Sequence, residues 1–114
     1  MKPDFTANIP IYLQIIDNIK KKIAKGQWFP GEKLPSVREL AVAFEVNPNT
    51  MQRAFSELER EGLLYTERTS GRFITKDEVL LKNLKKEMAD QLKESYIKGM
   101  KELGYTDEEI KNSL

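Results

Sequence analysis

The chain has 114 residues, 39% hydrophobic and 32% charged, with no cysteine and no histidine. That length supports one hydrophobic core with an appendage. The two missing residue types remove the commonest general base, the commonest metal ligands and the thiol nucleophile, which argues against an enzyme and against a metal or cofactor site. No apolar run is long enough to cross a bilayer, and Asp4 and Asp17 flank a start that has no signal-peptide core, so a cytoplasmic protein is expected.

Tyr12, Ile16, Ile19 and Ile23 recur at helical spacing, which predicts a first helix over 11–25. Pro10 suits its start, the lysines near its end suit the negative pole of the helix dipole, and Gly26 suits a left-handed stop. A Pro30-Gly31 turn follows, with Trp28 and Phe29 expected to cover an edge of the core. Ser36 and Glu39 then form a capping box ahead of an apolar stripe of Val37, Leu40, Ala41 and Phe44. Only Glu45 and Val46 separate this second helix from the next start signal, Asn47 as cap and Pro48 at the first helical position. The third helix, over 48–61, is predicted to bury Met51, Ala54, Phe55 and Leu58 and to turn Asn49, Gln52, Arg53, Ser56 and Arg60 outward, with Gly62 ending it.

Residues 63–67 and 72–75 are rich in strand formers around a turn at 68–71, which predicts a hairpin. From Asp77 a long helical pattern carries Leu81, Leu84, Met88, Leu92, Tyr96, Met100 and Leu103 at steps of three and four, and Gly104 closes it. Thr106 with Glu109 caps a last short helix bearing Ile110 and Leu114. The fold class expected is mainly α with a small β-hairpin: a winged helix-turn-helix over residues 1–76, then a two-helix dimerisation extension over 77–114.

Two short helices joined by so tight a turn, the second with an unbroken polar face, form the geometry that lets one helix lie in a DNA major groove. Asparagine and glutamine can pair with adenine edges and arginine with guanine, which makes Asn49, Gln52 and above all Arg53 the candidates for base readout. Ser36, Arg38, Asn47, Thr50, Arg68 and Arg72 surround that face and are candidates for phosphate contacts, helped by free amides at both helix starts. Thr50 could instead reinforce the start of its own helix. Gly71 lets the wing backbone approach the duplex closely. Charge points the same way: residues 1–76 carry 12 lysines and arginines against 9 acids, whereas 77–114 carry 7 against 9. A winged-helix module that docks proteins rather than DNA is the rival reading, and an enzyme comes third.

The stretches Pro30-Gly31-Glu32-Lys33-Leu34-Pro35-Ser36-Val37-Arg38-Glu39-Leu40-Ala41, Asn47 through Phe55 and Leu58-Glu59-Arg60-Glu61-Gly62-Leu63 resemble the winged-helix signature of the GntR family of bacterial transcription regulators. The resemblance implies DNA contacts from Arg38, from the start of the third helix through Arg53, and from the wing tip at Gly71; it also implies repression as the commoner mode. Many members of the family carry a basic residue at the Pro48 position, whereas Asn47-Pro48-Asn49-Thr50 looks like the YtrA-type subgroup. The wing has one glycine where a glycine-x-glycine tip is common, and Glu67 where a basic residue is frequent. The 77–114 segment is too short for the effector domains of most relatives, so no small-molecule pocket within one subunit is expected. Its apolar stripe exceeds what one short helix can cover, which predicts a homodimer on a near-palindromic operator.

Overall fold

A computed structural model describes residues 2–114. It contains α1 (Ile11–Ala24), α2 (Val37–Phe44), α3 (Pro48–Arg60), β1 (Leu64–Glu67), β2 (Gly71–Ile74), α4 (Glu78–Glu102) and α5 (Asp107–Ser113). The expected class is what is found: a winged helix-turn-helix followed by a C-terminal helical extension. It comprises two compact units, Met1–Lys82 and Asn83–Leu114, whose boundary falls inside α4. The first turn of α4 belongs with the winged helix because Leu80 packs at Gly62, its Cδ2 lying 3.5 Å from where a Cβ on that glycine would stand.

In the first unit α3 is the central element, with α1 and α2 packed against it. Its Met51, Ala54, Phe55 and Leu58 are buried, the face expected from their spacing. On α1 the buried set is Ile15, Ile16, Ile19 and Ile23, so Ile15 takes the place expected for Tyr12, which is only half-buried. The start of α1 has no side-chain cap; instead Gln14 reaches back, its amide donating to the Thr6 and Ile9 carbonyls and its oxygen accepting from the Thr6 N–H. At the other end, Gly26 takes the left-handed conformation foreseen for it, φ 76°.

Phe29 does not cover the core: it is 63% exposed, while Trp28 is half-buried. The cause is local. The Phe29 N–H donates to the Glu32 carboxylate at 2.7 Å and the Glu32 N–H to the Phe29 carbonyl at 3.0 Å, closing a turn around Pro30-Gly31 that leaves the ring outside.

The turn between α2 and α3 depends on Glu45, a non-glycine residue at φ 55°, ψ 48°. L-residues pay about 1 to 2 kcal/mol for that conformation, offset here by bonds from the Glu45 N–H to Val42 and from the Val46 N–H to Ala41.

The wing pairs β1 with β2 antiparallel in the register Leu64↔Ile74, Tyr65↔Phe73, Thr66↔Arg72 and Glu67↔Gly71, with Tyr65 and Phe73 stacked at 5.5 Å. A further partner was not expected from the sequence. Residues 31–34 run along the free edge of β2, with Gly31 N–H donating to Ile74, Ile74 N–H to Glu32 and Leu34 N–H to Arg72, and Lys33 bridging Phe73.

In the second unit, Thr106 and Glu109 make the expected capping box, and Gly104 at φ 91° ends α4. The Tyr96 hydroxyl shares a 2.7 Å hydrogen bond with Ser113, tying α5 to α4, and Ile110 is buried. Of the stripe expected on α4, Leu84 is buried and Leu81, Met88 and Met100 are half-buried, whereas Leu92, Tyr96 and Leu103 are exposed on the single chain. Among the described residues no helix is long and apolar enough to cross a membrane.

Candidate nucleic-acid interface

The surface in question begins with α3. Asn47 caps it, its side-chain oxygen accepting from the Asn49 N–H at 2.7 Å, and Pro48 occupies the first helical position without needing a partner for an N–H. This cap and the Ser36 capping box engage several amides that were expected to attract anions, since Ser36 N–H donates to Glu39 and Glu39 N–H to Ser36. What remains for a phosphate is the Val37, Arg38 and Thr50 N–H groups, which have no acceptor among the described residues, with the Asn47 amide group and the Ser36 hydroxyl proton. The Glu39 carboxyl is held below its ordinary value by the Ser36 backbone N–H and then by the Ser36 side chain. Thr50 is half-buried, and the helix cap is Asn47 rather than Thr50.

Asn49, Gln52 and Arg53 are all exposed, within the first two turns of the helix and opposite its buried side. Gln52 donates to the Ser56 hydroxyl at 3.2 Å, which leaves its carbonyl oxygen and one amide proton for a base edge. Arg53 lies with its guanidinium carbon 3.7 Å from the centroid of the Tyr12 ring.

An open cleft of about 610 Å³ between the start of α2, the side of α3 and the wing brings together Ser36, Arg38, Gln52, Arg68, Gly71 and Arg72. Asn47 and Thr50 line a different groove, beside Lys2, Asp4 and Phe5 of the amino-terminal arm. Arg38 and Arg68 are exposed and make no ion pair among the described residues.

Arg72 is placed differently from what the sequence suggested. Its Nε lies 2.6 Å from a Glu59 oxygen that also accepts from the Thr66 hydroxyl, its guanidinium sits 5.3 Å over Phe55, and its side chain is only 25% exposed. It is a strut joining the wing to α3. Burial alone would raise the Glu59 carboxyl, but the hydrogen bonds from Thr66 and Arg72 and the charge of Arg72 outweigh burial and leave it below its ordinary 4.5. A depressed folded-state value means that the strut's stabilisation is complete above 4.5 and disappears as pH falls through the lower folded value. Glu59→Gln should therefore lower stability near neutrality by about 1 to 2 kcal/mol, with the gap to wild type closing in acid. Urea midpoints of both proteins across pH check this, since the shifts at Glu39, Asp90 and Glu109 are common to both and cancel; a gap that stayed constant with pH would contradict the strut.

Sequence reasoning missed Lys33. Its side chain runs past the wing tip, Cε 3.1 Å from where a Cβ on Gly71 would stand, so a side chain at position 71 would both strain φ 116° and displace this lysine. No local signal marks it, because its stretch reads as loop; only the structure shows Leu34 buried on an extended segment, with its neighbour Lys33 exposed on the other side. Among the described residues no cluster of acidic, histidine or cysteine side chains could hold a metal ion.

A polar-faced helix projecting beside a two-stranded wing, with basic side chains around both, defines the winged helix-turn-helix class of DNA-binding regulators. The sequence pattern of the bacterial regulatory proteins of the gntR family matches residues 11–74, more than half of the chain, and the chain belongs to that family. It is 44% identical over 110 residues to the uncharacterized HTH-type transcriptional regulator YhcF of Bacillus subtilis (strain 168), covering 96% of this chain and 91% of that protein. It is 49% identical over 74 residues to the HTH-type transcriptional repressor YtrA of the same organism, covering 65% of this chain and 57% of the repressor. A solved GntR family transcriptional regulator from Listeria monocytogenes superposes with a TM-score of 0.88 at 43% identity, over 93% of each chain.

Proposed function

We propose that this GntR-family DNA-binding regulator is a YtrA-like repressor in the cytoplasm, binding a near-palindromic operator as a homodimer. The observation that carries the reading is the joint exposure of Asn49, Gln52 and Arg53 on the outer face of α3, flanked by the cleft that gathers Ser36, Arg38 and Arg68 beside the wing. Asn49 and Gln52 would read adenine edges and Arg53 guanine, while Ser36, Arg38, Asn47, Thr50, Lys33, Arg68 and the backbone at Gly71 hold the sugar-phosphate chains. Arg72 holds the wing in place for them. Residues 1–76 would bind DNA and 77–114 would join two copies, through the apolar side chains that α5 leaves exposed on α4. Repression is supported by the likeness to the repressor YtrA.

Arg53→Ala is expected to cost about 1 to 3 kcal/mol on the operator and to relax the preference at one base, whereas Arg38→Ala should weaken every duplex alike. Fluorescence anisotropy on a duplex selected by the protein from a random library, and on its shuffled counterpart, separates the two. Equal losses on both duplexes for Arg53→Ala would remove it from base reading.

A further inference from the structure

Among the described residues of the first unit three cation–aromatic pairs occur, and they differ in closeness. Lys22 stands 5.9 Å from the Trp28 ring and Arg72 5.3 Å from Phe55, whereas Arg53 lies 3.7 Å from Tyr12, in van der Waals contact with the ring face. The arginines also differ in what holds them. Arg60 is paired with Glu57 and Arg72 with Glu59, each spending N–H donors on a carboxylate. Arg53 makes no ion pair among the described residues. Stacking grips a guanidinium by its flat face and leaves the donors around its edge uncommitted.

The ring that does the gripping is itself fixed. Tyr12 sits in the first turn of α1, which is anchored in the core by Ile15, Ile16, Ile19 and Ile23 and braced ahead of its start by the Gln14 bonds to Thr6 and Ile9. A free arginine surrenders rotamer entropy when it is fixed against a base. A ring that restricts the side chain beforehand removes part of that cost on the correct sequence.

We infer that Tyr12 is a specificity-determining positioning residue: its ring holds the Arg53 guanidinium, donors outward, for pairing with a guanine edge. The inference rests on the reading of Arg53 as a base reader. Tyr12 itself need touch no base, and its hydroxyl is not required.

The test measures the ratio of affinities for the selected duplex and its shuffled counterpart in Tyr12→Leu, Tyr12→Phe, Arg53→Ala and the Tyr12→Leu/Arg53→Ala double variant. Tyr12→Met serves as a second ring-free variant, and circular dichroism melts verify folding of each. Loss of the ring should reduce the ratio by about threefold to tenfold, Tyr12→Phe should keep it within about twofold, and Tyr12→Leu should add nothing once Arg53 is alanine. A Tyr12→Leu protein that binds both duplexes equally more weakly would show a merely structural ring and overturn the inference. So would a Tyr12→Phe protein as impaired as Tyr12→Leu. A wild-type selection that yields no preferred sequence would remove base reading altogether and this inference with it, an outcome distinct from a clear preference that ignores Tyr12.

Discussion

Leu92→Glu is expected to lower operator affinity by about 100-fold or more while leaving the winged helix folded. Leu92 on α4 is 73% exposed on the single chain and Leu103, just past its end, is 75% exposed, and α5 is too short to cover them. Burying one such side chain against a second copy is worth about 1.5 to 3 kcal/mol. A glutamate in its place would bring two like charges towards an apolar seam. Two recognition helices held together gain about 100-fold to 10,000-fold over one through effective concentration, so a monomeric variant forfeits that factor without altering any DNA-facing residue. Sedimentation equilibrium and anisotropy on the selected duplex read both consequences. A variant that stayed dimeric and bound normally would move the subunit interface elsewhere on the molecule.

The second large effect is on stability. Phe55→Ala should cost about 3 to 5 kcal/mol, a large part of the 5 to 15 kcal/mol that typically separates a folded domain from its unfolded chain. Phe55 is fully buried at the centre of α3, and its ring also lies beneath Arg72. Its loss should open a cavity between the helices and loosen the strut that carries the wing. Gln52→Ala, one turn away on the exposed side, should leave stability within about 0.5 kcal/mol. Urea denaturation of the two variants makes the comparison; a Phe55→Ala protein losing under about 1 kcal/mol would mean that the core is not centred on α3.

Much of this architecture was legible because short-range chemistry marks it. Ser36 with Glu39, Asn47 with Pro48, and Thr106 with Glu109 announce three helix starts, and each cap is observed as a hydrogen bond. Gly26, Gly62 and Gly104 mark three stops, all at positive φ. What stayed hidden depends on partners distant in sequence. The spacing of Tyr12 is that of a core residue, and nothing local reveals that Arg53 lies on its ring. An arginine in a wing reads as a phosphate ligand until Glu59 is seen beside it. Lys33 lies between Pro30-Gly31 and Pro35, which read as loop, although its backbone completes the edge of the wing. Glu45 bears no glycine-like signal for its left-handed turn, because the cost is offset by bonds to α2 rather than by its own side chain.

A guanine-N7 methylation footprint on the selected duplex addresses the DNA-reading face most directly, because N7 lies in the major groove where Arg53 would pair. The account predicts two protected clusters about one helical turn apart, with protection at one guanine per half-site lost in Arg53→Ala. A duplex bound without any major-groove protection would contradict it.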